Sequence, residues 1–216
     1  MPYVPFVLLV LLLAAPAPRA QGVEVARVRY SGGDWSSGER ALPNLLAFAR
    51  RHTLLDLAPE PAVTTLDGDD LARYPFLYLN GHGDVVFTDP EARALRYHLT
   101  HGGFLYVNDD YGLDAAIRRE MRKVLPGEEW VELPASHPLY HAHFAFPDGL
   151  PKIHEHDGQP AQGLGLFHEG RLVVFYAYES DLGDGWEPAG VHDDPPQVRE
   201  TALRMGTNLL VYALSR

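Results

Sequence analysis

The sequence predicts an α/β protein with a mainly parallel sheet, and three observations support this. Short apolar runs of strand character alternate along the chain with amphipathic segments of helical spacing, which is the order of a sheet with crossover helices. Four of the apolar runs end in polar, glycine-containing tips, as expected where parallel strands end at a binding edge. The chain has 216 residues, 46% of them hydrophobic, which is enough for one globular domain.

The first twenty residues have the composition of a secretory signal peptide. Val4–Ala15 is an apolar run of 12 residues, shorter than the roughly twenty that span a bilayer. Small residues, including Ala17 and Ala20, follow it, as they do before a cleavage site. We therefore divide the chain into a signal peptide (residues 1–20) and a single domain (residues 21–216). We expect a secreted or periplasmic protein that is not an integral membrane protein after cleavage; an uncleaved short anchor is the alternative.

The first half of the domain alternates predicted strands and helices. An apolar run predicts a strand over residues 25–30, and Pro43–His52 has the apolar spacing and basic end of a helix. Further strands are predicted over Val63–Leu66 and Phe76–Leu79. The next helix begins at Thr88–Glu91, where Thr and Glu have the spacing of a capping box and proline lies in the first turn.

The second half contains two features besides the alternation. Phe104–Val107 predicts a strand and Leu113–Leu125 a helix. Residues 134–163 are rich in His, Pro and Gly without a clear period, which predicts a long excursion. Residues 164–178 form two apolar runs around a glycine-containing turn and predict a late hairpin. A final helix begins at Asp194, just before a pair of prolines.

Composition excludes several classes of function. The formal net charge is -11, which does not favour contact with the phosphates of nucleic acid. The sequence has no cysteine, so disulfides, a thiol nucleophile and a thiolate metal site are excluded. It also lacks the G-x-S-x-G, P-loop and G-x-G-x-x-G fingerprints, so nothing indicates serine-triad hydrolysis or nucleotide-dependent chemistry.

The sequence contains several short motifs: Gly32–Trp35, Tyr74–Tyr78 with Gly81–Gly83, Gly102–Leu105, Asp109–Gly112 and Gly170–Val173. In their order and spacing these motifs resemble the bacterial family called domain of unknown function 4159. The resemblance covers residues 25–214. It implies a flavodoxin-like, doubly wound sheet of the class I glutamine amidotransferase-like type, and it implies no particular activity. Enzymes of that type carry a nucleophilic cysteine on a turn after a central strand. The equivalent turn here, residues 108–111, has none, which excludes glutaminase chemistry by that route.

The polar tips of the predicted strands indicate one site, because parallel strands bring their carboxyl ends to one edge of the sheet. His82, Asp109 and Asp110 are candidate catalytic residues, since an imidazole or a carboxylate there can act as a general base. The predicted ligand-binding residues are Asp34, Trp35, Asn80, His82, Asp109, Asp110, Tyr111, Glu179, Asp181 and Trp186.

Each of these interpretations has a structural alternative. His82 lies between two glycines, which either bring the backbone close to a ligand or only form a turn. One of the adjacent Asp109 and Asp110 caps the following helix, or at least one of them contacts a ligand or a metal. Trp35 and Trp186 lie near acidic residues, so they either form aromatic platforms for a sugar or close the core.

A His-rich motif in the excursion is a candidate for a divalent metal. In an extended chain His154 and His156 share one face, and Asp157 follows them. Six of the eleven histidines lie between residues 137 and 168. The alternative is a loop held by hydrogen bonds, and no other cofactor is expected.

These features predict an envelope protein that binds a small polar ligand, of which a carbohydrate is one candidate. A carboxylate/His hydrolase or lyase, with or without a metal, is the first alternative. A catalytically silent scaffold with protein partners in the envelope is the second. Nucleic acid is not an expected partner.

Overall fold

The structure is a computed structural model that describes residues 22–154 and 158–215. The predicted signal peptide, residues 1–20, lies outside the described residues. So do His156 and Asp157, two of the three predicted metal ligands.

The described residues form strands and helices in alternation. The strands are β1 (Ala26–Val28), β2 (Ser31–Gly33), β3 (Ala62–Thr64), β4 (Phe76–Leu79), β5 (Gly83–Val86), β6 (Phe104–Asn108), β7 (Val131–Glu132), β8 (Gln162–His168) and β9 (Arg171–Tyr178). The α-helices are α1 (Ala41–His52), α2 (Asp89–Thr100), α3 (Asp114–Val124), α4 (Leu182–Trp186) and α5 (Pro196–Leu214). Two 3₁₀ turns lie at Leu71–Arg73 and Pro138–His141.

A seven-stranded, mainly parallel sheet confirms the predicted α/β class. Its strand order is β3-β1-β4-β6-β9-β8-β7. The first five strands run parallel, whereas β8 is antiparallel to β9 and β7 to β8. Numbered along the chain, the five parallel strands have the order 2-1-3-4-5, which is the flavodoxin-like arrangement. The predicted late hairpin is β8–β9.

Helices cover both faces of the sheet, which explains why the central strands are apolar throughout. Leu77 and Leu79 of β4 belong to the core layer that contains residues of α2 and α3. Phe76 and Tyr78 belong to the layer with residues of α1, α4 and α5. Strands buried on both faces have continuous apolar runs rather than alternating ones. No helix of the residues described here combines the length and apolar character needed to cross a membrane.

The start of α2 is where its predicted capping residues lie. Thr88 Oγ1 accepts a hydrogen bond from the Glu91 backbone N–H (3.3 Å), and Glu91 Oε2 accepts one from the Thr88 N–H (2.7 Å). This capping box starts α2.

In the predicted excursion, Asn208 of α5 anchors the backbone: its Oδ1 accepts from the N–H groups of His143 (3.1 Å) and Phe144 (2.7 Å).

The structure differs from the sequence prediction after β1 and β4. The two tips, predicted as loops, pair as the antiparallel strands β2 and β5 in a separate two-stranded sheet. Glycine permits this close pairing: a Cβ on Gly33 would lie 2.5 Å from the Asp84 carbonyl oxygen and 2.6 Å from that of His82. The pairing brings the first tip beside His82.

Candidate functional site

The strongest candidate site is a polar cleft of about 460 Å³ at the carboxyl ends of the central strands. It lies between the chain after β1, at residues 37–39, and the chain after β4, at Asn80 and His82. The connection after β1 leads to α1 on one face of the sheet, and that after β4 leads to α2 on the other. The chain therefore diverges here, at the switch point where flavodoxin-like sheets bind ligands.

A second cavity, of about 500 Å³, lies beside α2 and has mostly apolar walls. Leu66, Leu71 and Tyr97 contribute to it. We favour the polar cleft as the candidate site because its hydrogen-bonding groups can orient a ligand.

Asn108, the last residue of β6, organises the floor of the cleft. It is fully buried. Its Nδ2 donates to Asp110 Oδ1 (2.6 Å) and to Asp181 Oδ1 (2.7 Å). Its Oδ1 accepts from the Tyr106 hydroxyl (2.6 Å) and from the Gly183 N–H (3.0 Å). This amide thus uses its whole hydrogen-bonding capacity and joins two carboxyl groups from separate elements.

Asn80 forms the wall beside this floor. Its Nδ2 donates to the Ser37 carbonyl (2.7 Å) and to Asp110 Oδ2 (3.2 Å). Asn80 is only 1% exposed, and its Oδ1 has no hydrogen-bond partner among the described residues. Both contacts of Nδ2 are acceptors, so they require the donor end of the amide at that position. An unused acceptor therefore lies buried within the cleft wall.

Asp181 and Asp110 form a carboxyl pair. Burial raises the pKa of Asp181 well above its usual range, and the charges of Asp110 and Asp184 raise it further. Two carboxyl groups in one site do not both ionise readily. Asp181 is therefore the member of the pair in which burial and the neighbouring carboxyl groups favour the protonated form.

Asp184 lies between two imidazoles at another wall of the cleft. His192 Nε2 is 3.1 Å from Asp184 Oδ1, and His154 Nδ1 is 3.5 Å from Asp184 Oδ2. Burial raises the pKa of Asp184, and the two histidines oppose that shift. Within residues 22–154 and 158–215, no three His, Asp or Glu side chains form a group that could hold a metal ion. The metal motif stays a prediction, because His156 and Asp157 lie outside the described residues.

His82 and Asp34 form the rim of the cleft. His82 Nδ1 lies 3.0 Å from Asp34 Oδ2, and the His82 backbone N–H donates to Asp34 Oδ1 (2.5 Å). Burial opposes a downward shift, but these contacts with His82 lower the pKa of Asp34. The Gly83 N–H donates to the Tyr111 carbonyl (3.1 Å), which ties this rim to the turn after β6. Tyr111 lines the mouth and is 51% exposed.

The structure brings together six of the predicted ligand-binding residues. Five line the cleft and Asp34 contacts one of them: Asn80, His82, Asp110, Tyr111, Asp181 and Asp34. Of the three candidate catalytic residues, His82 and Asp110 share the cleft and Asp109 does not.

Neither predicted tryptophan lines the cleft. Trp186 is fully buried, its ring lies 5.6 Å from that of Tyr78, and its indole N–H donates to the Ala202 carbonyl (2.9 Å). It closes the core, as the alternative interpretation held, and has no ring face open to a ligand. Trp35 is half-buried, lines a different cavity with Arg40, and packs against the core.

Asp109 and Glu179 also lie away from the cleft. Successive side chains near the end of a strand point to opposite faces of the sheet, so Asp109 lies beside Tyr176 while Asp110 enters the cleft. Burial raises the pKa of Asp109 to about 6, although the nearby Tyr176 hydroxyl and the Leu113 backbone oppose the shift. Glu179 is buried and pairs with Lys152 Nζ at 3.2 Å.

The wild-type protein is expected to lose stability as the pH rises from about 4 to 6, and Asp109→Asn is expected to abolish this loss. The pKa of Asp109, about 6 in the folded protein, exceeds its ordinary value of 3.8, so folding favours the protonated carboxyl. This contribution, about 3 kcal/mol, is complete below pH ~4 and lost as the pH rises through ~6. Urea unfolding across this range measures it. Asp148→Asn changes an exposed carboxyl group and is the control: its free energy of unfolding should depend on pH as that of the wild type does. If Asp109→Asn also keeps the wild-type pH dependence, Asp109 is not the group that causes it.

Sequence reasoning did not select several residues of the cleft and its floor, among them Asn108, Asp184, Glu187 and His192. Asn108 and Asp184 lie in polar tips that the sequence did indicate. Glu187 and His192 follow α4, in a stretch without periodicity, and no local pattern distinguishes them. Only the packing of residues 187–192 over the sheet edge brings them to the site.

Comparison with known families agrees with the motif resemblance. The family model described as "Domain of unknown function (DUF4159)" matches residues 24–214. This range contains all the strands and helices described above. A comparison with curated proteins gives no match. The chain therefore belongs to the DUF4159 family.

Proposed function

We propose that this protein binds a small polar, hydroxyl-bearing ligand, with a carbohydrate as one candidate, in the cleft at the carboxyl ends of β4 and β6. The observation that carries the proposal is the unused Oδ1 of Asn80 in the cleft wall. A buried acceptor without a partner costs about 1–3 kcal/mol. A ligand donor would supply the missing hydrogen bond after a small shift of the Asn80 side chain that uncovers this buried oxygen.

The size and chemistry of the cleft support this function. About 460 Å³ is within the usual range of small-molecule sites, roughly 300–1,000 Å³. Carboxyl groups, an amide and imidazoles line it, so hydrogen bonds would dominate recognition. Tyr111 adds one exposed ring at the mouth.

We also propose an architecture for the protein and a location in the cell. The strand order and the family match support an amidotransferase-like architecture. On that architecture the turn after β6 carries Asp109 and Asp110 in place of a nucleophilic cysteine, and the sequence has no cysteine. The composition of residues 1–20 supports export to the envelope.

Asp110→Asn is expected to weaken binding at least tenfold, because it removes the carboxylate charge from the cleft floor. His82→Ala should also weaken binding. The free energy of unfolding of this variant should stay within about 1 kcal/mol of wild type, since the His82 side chain is half-exposed. The measurement is calorimetry with ligands found by a thermal-shift screen of neutral sugars, amino sugars and polyols.

Asp67→Asn is the matched control, because Asp67 is exposed and does not line this cleft. It should keep wild-type affinity. A screen without any binding compound contradicts the proposed function, and so does binding that Asp110→Asn leaves unchanged.

One observation favours an enzyme as the second candidate. Asp110 and Asp181 share the Asn108 amide, and burial raises the pKa of Asp181. A carboxyl group whose pKa is raised beside a second carboxyl group is an arrangement from which general acid and general base roles arise. Turnover of a bound sugar by the wild-type protein would distinguish an enzyme from a binding module.

A further inference from the structure

We propose that the ligand of this cleft carries a protonated amine. This inference rests on the proposed function and narrows its ligand class from hydroxyl-bearing molecules in general to those with an ammonium group.

Asp110 is a buried carboxylate without a cationic partner among the described residues. It is 7% exposed and lines the cleft. Its hydrogen bonds come from two neutral amides, Asn108 at 2.6 Å and Asn80 at 3.2 Å. Within the described part of the chain no ion pair reaches Asp110. A charge removed from water is costly unless a cation compensates it.

The surroundings do not supply that cation. Among the residues that the structure describes, no lysine or arginine lines the cleft, whereas the carboxyl groups of Glu39, Asp184 and Glu187 do. The guanidinium of Arg27 lies beside the cleft without lining it: it donates to the carbonyls of Ser37 (2.8 Å) and Gly38 (2.6 Å), which line one wall, and forms no ion pair with Asp110. The net charge of -11 provides no positive field from the rest of the chain.

The nearby histidines have other contacts. His154 and His192 both approach Asp184, and His82 approaches Asp34 at the rim. None of these three imidazoles forms an ion pair with Asp110 within the residues that the structure describes.

The unpartnered Asn80 Oδ1 is the independent observation that points to a donor-rich ligand. The same side chain donates to Asp110 Oδ2, so the amide oxygen and the carboxylate belong to one wall. An ammonium group has three donors and no acceptor. In the cleft it would donate to the Asp110 carboxylate and neutralise its charge, and a small shift of the Asn80 side chain would let it donate to the buried Oδ1 as well. A hydroxyl group supplies only one donor, and its own lone pairs would face the acceptor oxygens of the cleft, which is unfavourable.

The experiment compares amines with hydroxyl compounds of matched shape. The pairs are glucosamine with glucose and 1,4-diaminobutane with 1,4-butanediol; calcium and magnesium chloride test for a metal ion instead. Calorimetry at pH 7 on the wild-type protein is expected to show at least tenfold tighter binding of the amine in at least one pair. Asp110→Asn should reduce that preference to threefold or less, whereas Asp67→Asn should keep it. Added salt should weaken amine binding to the wild type, since the attraction is between charges.

The other outcomes separate this inference from the proposed function. If the hydroxyl compounds bind as tightly as the amines, the inference is wrong and the proposed function stands. Binding of the divalent metal without any amine also overturns the inference. If no amine, sugar or polyol binds, both the inference and the proposed function are wrong.

Discussion

Replacing Trp186 with alanine is expected to lower the free energy of unfolding by about 3–5 kcal/mol, as large-to-small changes of buried aromatic residues do. The side chain is fully buried, with ring centroids 5.6 Å from Tyr78 and 5.7 Å from Tyr106. Its truncation leaves a cavity between α4 and the sheet and removes the hydrogen bond to the Ala202 carbonyl. Denaturant unfolding monitored by far-UV circular dichroism measures the loss.

Two further variants make the result specific. Trp186→Phe keeps an aromatic ring and loses the indole N–H, so an intermediate loss of about 1–3 kcal/mol is expected. Trp35→Ala should cost less than Trp186→Ala, because Trp35 is half-buried. The opposite result, a Trp186→Ala protein of nearly wild-type stability that no longer binds ligand, would restore Trp186 as a ligand platform.

Replacing Asn108 with aspartate is expected to cost about 3–5 kcal/mol at pH 7, the usual size of an uncompensated buried charge. The change replaces the Nδ2 donor of Asp110 and Asp181 with an oxygen. Three carboxyl groups then face one another where one amide had joined two. Urea unfolding measures the loss, and ligand binding should disappear with it.

The pH dependence identifies the cause of this loss. Crowded, buried carboxyl groups have folded pKa values above their unfolded values, so their penalty grows as the pH rises and is relieved as it falls towards 4. Asn108→Asp should therefore recover stability on mild acidification. Asn208→Asp is the control: Asn208 is also fully buried and also loses a donor, the Nδ2 bonded to the Phe144 carbonyl (2.8 Å), but its Oδ1 accepts from two backbone N–H groups that remain as donors. If both variants lose equal stability, carboxylate crowding is not the cause.

Most of the fold was predictable because its signals are local. The capping box at Thr88 and Glu91 specifies the start of α2 with residues three positions apart. The apolar runs of β4 and β6 predicted buried strands, and the turn at Glu169 and Gly170, both with positive φ, joins the predicted hairpin. The β2–β5 pairing was not predicted, since it joins segments that lie about fifty residues apart.

The candidate site was predictable in place but only partly in composition. Strand polarity alone brings His82 and the turn after β6 to one edge of the sheet. Successive side chains at the end of β6 point to opposite faces of the sheet, and this alternation decides which of Asp109 and Asp110 enters the cleft. A shift of one residue would exchange the two. His192 and Glu187 have no local signal, because their role depends on how the segment after α4 packs.

The sequence by itself therefore determined the fold class, the succession of most elements and the sheet edge that carries the polar tips, because these follow from residue periodicity and strand direction. The tertiary structure decided that Trp186 belongs to the core and that Asn108 joins Asp110 to Asp181 across more than seventy residues. It also decided that an unused amide oxygen of Asn80 lies in the cleft wall. Such contacts between distant segments have no sequence period, since they exist only once the helices and strands have packed.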